Sequence, residues 1–243
     1  MTAGATRRSR LARNLMALAA LAGVVLFCGL GIWQVQRLQW KLDLIARVEA
    51  RLSAPPVAAP GPGDWAALSE QADEYRRVAL RGSYDYSAET LVQAVTERGA
   101  GFWVMTPLAA DQGFTVWINR GFIPGERRAP EDWLRPEGMQ QVTGLLRASQ
   151  PHGAFLRKND PLADRWYSRD VQALSQRQGL AGTAPYFIDA DAGPDASALP
   201  MGGLTVVSFR NSHLSYALTW FALAIGLAVA GWYVLFRAEP PRD

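Results

Sequence analysis

Imidazole is the side chain best suited to bind a transition metal or to move a proton near neutral pH, and this chain has two, His152 and His213. His152 stands between Pro151 and Gly153 in PHGAF, a setting that predicts a surface turn rather than a catalytic base. His213 opens the stretch NSHLSYALTWF at the mouth of a long apolar run. At helical spacing His213, Tyr216 and Trp220 fall at i, i+3 and i+7 and share one face, which Ala217, Ala224 and Gly231 continue. Small residues of that kind let a second helix approach closely. Two readings fit the histidine. It is a polar residue at headgroup level with its nitrogens in water, or it is a neutral ligand at membrane depth. The second would suit haem iron, with aromatic side chains beside the macrocycle.

A second group lies at the end of the first apolar run, in LGIWQVQRLQWK. Trp33, Arg37 and Trp40 are spaced four and three apart, so one helical face stacks aromatic, cation, aromatic. Gln34 and Lys41 lie along the neighbouring face. Here too two readings stand side by side. Tryptophan belts sit at headgroup level and arginine snorkels to water, which makes the group an interfacial anchor. Alternatively, Arg37 or Lys41 meets an anionic group held at the interface.

Other chemistries find little support. The sequence has no GxSxG elbow, no glycine-rich phosphate loop of the Walker type and no distinctive carboxylate pair, so no enzyme is expected. Cys28 is the only cysteine, which excludes a disulfide framework, a zinc cluster and a CxxCH haem attachment. The net charge is +3, but it resides in the tails. Without Arg7, Arg8, Arg10, Arg13, Arg237, Arg242, Glu239 and Asp243, the remainder holds 19 basic and 20 acidic residues. A nucleic-acid-binding domain would need a basic face, and no nucleic-acid partner is expected.

The elements that must position these groups are legible in the charge pattern. Asn14 to Gln36 and Leu214 to Phe236 are each 23 residues without a charge, and roughly 20 suffice to cross a bilayer core as a helix. The first run is longer than the roughly 7–15 residues of a signal-peptide core, and it reads as an uncleaved anchor. Four N-terminal arginines place residues 1–13 in the cytoplasm. Two spans, 14–36 and 214–236, return the tail 237–243 to the same side. The segment 37–210 then lies outside, in a periplasm or an intermembrane space.

Beyond the first span, Leu38, Leu42, Ile45, Val48 and Leu52 recur at three- and four-residue steps, which predicts one long helix leaving the membrane. SAPPVAAPGPG ends it and reads as a linker or surface loop. Short β-like runs follow at 75–81, 89–95, 101–108, 114–119, 141–146, 186–189 and 204–209, with AADQG as a hairpin turn. Asp170 to Gln178 predicts a helix, capped by the aspartate and ended by Gly179. The loop 189–203 reads as exposed. The expected fold is a membrane protein in which two transmembrane helices flank an α+β, mainly antiparallel-β extramembrane domain: an antiparallel sheet or partly closed barrel with a helix against it.

These stretches resemble the Surfeit-locus-1 family of cytochrome c oxidase assembly factors. LGIWQVQRLQWKLDLI resembles the first-span signature of that family, and RNSHLSYALTWF its second-span entrance. YRRVALRGSYD, GFWVMTPL, WINRGFIP and FLRKNDPLADRWYSRD resemble the outer-domain blocks, in order. Residue 122 is Phe where the family usually has Trp, and residue 212 is Ser where an acid is frequent before the histidine. The resemblance implies a protein of the bacterial inner membrane that helps to mature subunit I of haem–copper oxidases, with haem a as cofactor and haem a synthase as a further partner. His213 matches the iron-ligand position. The resemblance then implies Tyr216 and Trp220 as walls of the haem site beside Trp33 and Trp40, and Arg37 or Lys41 as partners of the propionates. The alternative is a scaffold that holds an oxidase subunit and binds no haem.

Overall fold

The computed structural model describes residues 3–151, 153, 157–195, 197–205, 209 and 211–236, with side chains described from Leu11 onward. It divides the chain into two compact units, Met1–Arg47 with Ser208–Asp243, and Val48–Val207.

The first unit is built from α4 (His213–Phe236) and all but the last residues of α1 (Ala3–Ser53). Both are long and apolar enough to cross a membrane. The first is a single helix that runs past its uncharged stretch, as the three- and four-residue periodicity predicts.

The second unit contains two short helices, α2 (Glu70–Asp73) and α3 (Val171–Gln178), and seven strands. The strands are β1 (Val57–Ala58), β2 (Arg77–Tyr84), β3 (Thr90–Thr96), β4 (Gly99–Ala110), β5 (Thr115–Pro124), β6 (Met139–Ala148) and β7 (Thr183–Ala190). Their order is β1-β2-β6-β7-β5-β4-β3, and β2 also pairs with β4 at Gly82–Tyr84. That extra pairing closes β2, β6, β7, β5 and β4 into a ring, so the expected partly closed barrel is present. Pairing is antiparallel except for β1 with β2 and β5 with β7.

Alternation along the central strands builds two cores. Val116 and Ile118 of β5 join Tyr186 and Ile188 of β7 in one cluster. Trp117 and Phe187, on the opposite faces of the same strands, join Trp166 and, from α3, Leu174 in another. The predicted cap of α3 is present: the Asp170 carboxylate accepts from Ala173 N, and Gly179 takes a left-handed φ of 66°. The AADQG hairpin also forms, with Gly113 at φ 86°.

Three local expectations are corrected. The proline-rich stretch after α1 supplies β1, and Pro60 O accepts from Trp65 Nε1 and the buried Tyr186 hydroxyl, which ties this segment to the domain. Loop 189–203 is exposed at 192–195, as expected, but its end folds back onto β5, where Met201 and Phe122 exchange backbone hydrogen bonds of 2.9 Å. The Met201 carbonyl carbon and oxygen occupy the space a Cβ at Gly121 would need, so only glycine fits there. In the last predicted strand, Leu204, Thr205 and Phe209 join no ladder. Thr205 instead donates its hydroxyl to Asp189 at 2.8 Å; residues 206–208 lie outside the described residues.

Candidate functional site

In α1 the residues that face the partner helix recur at alternating steps of three and four: Ala20, Val24, Phe27, Gly31, Gln34, Leu38 and Lys41, all buried or half-buried. This is a heptad seam. In α4, Ala217 and Ala224 are buried on the matching stripe. Pairs across the seam run in opposite directions along the two helices. Ala20 meets Gly231, the Phe27 ring stacks on Trp220 with centroids 5.6 Å apart, and Gln34 meets His213. A Cβ added at Gly31 would stand 2.6 Å from the Phe221 ring. The glycine lets this aromatic side chain fill the seam.

His213 is half-buried at the first residue of α4. Its Nδ1 lies 2.8 Å from Gln34 Oε1. Gln34 is 9% exposed, and the contact satisfies a polar side chain within an apolar seam. The other ring nitrogen, Nε2, has no hydrogen-bond partner among the described residues.

The remaining predicted residues distribute around this pair. Trp220 lies in the seam against Phe27, whereas Tyr216 is 56% exposed and Ala217 occupies the adjacent seam position. Trp33 and Trp40 are half exposed, and the Arg37 guanidinium lies 5.0 Å from the Trp40 ring centroid. Lys41 is half-buried, with Nζ 4.8 Å from the Phe209 ring centroid. Trp33, Arg37 and Trp40 each precede a seam residue of α1, and Tyr216 precedes a seam residue of α4. In an antiparallel pair both chain direction and viewing sense reverse, so residues just before the seam fall on the same flank of both helices. One flank therefore gathers Trp33, Arg37, Trp40 and Tyr216. Sequence reasoning put Gln34 on a neighbouring face and gave it no role; its place between Gly31 and Leu38 in the three-four pattern is the signal that finds it. His152 lies outside the described residues.

The second unit carries two buried ionic hubs, neither of which stands out in the sequence. Asp189 is 4% exposed and accepts from Asn119 Nδ2 (2.7 Å), Arg147 Nη1 (2.6 Å), Arg169 Nη1 (3.0 Å) and Thr205 Oγ1. Glu74 adds a second carboxylate, 2.7 Å from Arg147 Nε. Burial alone would lower the Arg147 pKa, but Asp189 and Glu74 outweigh it and hold the pKa above its ordinary value. For Arg169 burial prevails over Asp189, and its pKa falls. The second hub is Glu89, which accepts from Thr106 Oγ1, Arg120 Nη1, Trp133 Nε1 and Arg135 Nη2. Arg120 lies over the Tyr84 and Tyr86 rings, with its guanidinium carbon 5.1 and 5.3 Å from their centroids. These hubs bind the domain together, since every charged member is already engaged by the others.

The sequence matches the SURF1 family over residues 21–225. Surfeit locus protein 1 of Rattus norvegicus is 38% identical over 227 residues, covering 86% of this chain and 71% of the relative. That of Homo sapiens is 37% identical over 228 residues, covering 86% and 72% respectively. A SURF1-like protein of Monosiga brevicollis is 34% identical over 249 residues and covers 92% of both chains.

Proposed function

The chain belongs to the SURF1 family, and from that premise we propose that it is an assembly factor for haem–copper (cytochrome c) oxidase, without enzymatic activity of its own. It holds haem a as cargo at His213 and aids its insertion into subunit I, with haem a synthase as the source. The observation that carries this reading is the state of His213. One ring nitrogen is engaged by Gln34 and the other has no hydrogen-bond partner among the described residues, at the end of a helix long and apolar enough to cross a membrane. Haem iron takes an imidazole nitrogen as axial ligand, so the residue present fits the group. His213 would hold the iron through this one nitrogen, which suits a carrier that must release its cargo.

The flanking residues have roles consistent with this. Trp33, Trp40 and Tyr216 offer exposed aromatic surface on one flank of the helix pair, against which an apolar macrocycle would be drawn from water. Trp220 backs the seam. Arg37 makes no ion pair among the described residues and is the stronger partner for a propionate; Lys41, beside the Phe209 ring, is the second cation. In a bacterial inner membrane both termini would be cytoplasmic and the outer unit periplasmic, following the basic tails.

Co-expression with the haem a biosynthetic enzymes, purification and an absorption spectrum test the assignment. A haem band is expected in the wild type and should be lost in His213→Ala. An unchanged band in that variant removes His213 as ligand. A wild type without any band favours the scaffold that holds an oxidase subunit and binds no haem.

A further inference from the structure

We propose that Gln34 is a positioning residue for His213: it fixes the imidazole as the tautomer protonated at Nδ1 and so reserves the Nε2 lone pair for the iron. The proposal rests on the reading of His213 as the ligand, but its first claim concerns this chain alone.

The Gln34 side chain is buried in a stripe whose neighbours are Phe27, Gly31 and Leu38. A polar amide at such a position weakens apolar packing unless it is hydrogen-bonded, and its partner is the ring of His213 at 2.8 Å. An amide oxygen can only accept a hydrogen bond. The contact from Gln34 Oε1 therefore requires a proton on Nδ1, and a neutral ring protonated there is bare at Nε2. The tautomer of a histidine is set by the hydrogen bond its other nitrogen makes. In water the neutral histidine ring favours the proton on Nε2, where it would block an incoming metal, so the default state is the wrong one. Ser212 puts no carboxylate beside the ring from its own helix. The orienting group comes instead from α1, which ties ligand geometry to correct pairing of the two spans. Metal-bound histidines commonly have such a partner on the other nitrogen.

The experiment uses the full-length chain in detergent, free of haem. His152→Asn leaves one histidine, so the ring ¹⁵N resonances of labelled protein belong to His213 alone. At mildly alkaline pH, where imidazole is neutral, protonated and bare ring nitrogens resonate far apart. The expected spectrum shows a protonated Nδ1 and a bare Nε2. Gln34→Glu, which can still accept, should retain it; Gln34→Leu should move the population toward Nε2–H. A wild type protonated at Nε2, or a Gln34→Leu spectrum identical to wild type, overturns the proposal. The wild-type spectrum decides this even if Gln34→Leu does not fold. A parallel titration with haemin should show Gln34→Leu binding about 10–100-fold more weakly, the usual cost of removing a ligand's orienting partner, with Gln34→Glu close to wild type. Equal haemin affinity in Gln34→Leu removes the positioning role. A wild type with the expected tautomer that takes up neither haemin nor haem a overturns the haem reading and leaves the hydrogen bond assigned.

Discussion

Asp189 ties much of the second unit together, because one carboxylate with 4% exposure serves Asn119, Thr205 and two arginines. Removing one side of a buried ion pair leaves the other charge uncompensated, at a cost of about 3–5 kcal/mol. Asp189→Ala should lower the stability of the outer unit by that order, read as the urea midpoint of Trp117 and Trp166 fluorescence; a loss below about 1 kcal/mol would show that water reaches Arg147 and Arg169 freely. Tyr84 gives a prediction in pH. Burial pushes its phenol up to about 12, against the opposing pull of Arg120. The group is neutral in the folded chain where the unfolded chain has begun to ionise, so its contribution is complete below about pH 10 and lost as pH rises through about 12. Tyr84→Phe should flatten the fall in stability over that window, measured by thermal unfolding at stepped pH, whereas an unchanged slope would assign the fall to other groups. Neither hub was legible in the sequence. Glu74, Glu89 and Asp189 stand 20 to 73 residues from their arginines, and only the tertiary fold brings them together. The outer-domain blocks that carry the family resemblance turn out to supply these hubs, as with Asn119 and Arg120 in WINRGFIP and Arg169 in the last block.

Among the elements, the pairing of α1 with α4 is the one that brings His213 to Gln34, and at Gly31 a Cβ would meet three atoms of the Phe221 ring at 2.6–2.9 Å. A larger side chain there must displace the Phe221 ring, and overpacking of this kind costs about 1–3 kcal/mol. Ala20 and Gly231 provide the readout, since a Cβ on Gly231 would lie 3.1 Å from that of Ala20. In a Cys28→Ala background, cysteines at positions 20 and 231 should form a disulfide in membranes under mild oxidation, and adding Gly31→Leu should sharply reduce its yield. Undiminished cross-linking in the Gly31→Leu protein would mean that the seam yields without separating. The spans, the long first helix, α3 with both caps, and the first six strand regions were legible because each depends on local periodicity or cap chemistry. The short β1 was not, because a strand of two residues within a proline-rich stretch carries no alternation. Neither was the return of loop 189–203 to β5, which depends on a close approach at Gly121 that spacing cannot express.

For the molecule as a whole, the proposed orientation across the membrane rests on the basic residues that flank the two spans. Counting basic residues near the first span gives no bias: Arg7, Arg8, Arg10 and Arg13 precede it, and Arg37, Lys41, Arg47 and Arg51 follow it. The two sets are nevertheless unequal. The positive-inside rule operates on loops shorter than about 60 residues, and longer segments are translocated largely regardless of their charge. Residues 37–210 far exceed that length, so the charges that follow the span should count for little. Arg237 and Arg242 then act in the same sense as the N-terminal four. Alkaline phosphatase, active only outside the cytoplasm, should be inactive when fused after Asp243 and active when inserted in the exposed loop at Gly193. Replacing Arg7, Arg8, Arg10 and Arg13 by Ser should raise the activity of the C-terminal fusion, while replacing Arg47 and Arg51 should leave it unchanged. The opposite pattern would show that the residues leaving the membrane in α1, not the tails, decide which side receives the outer unit and with it the end of α4 that carries His213.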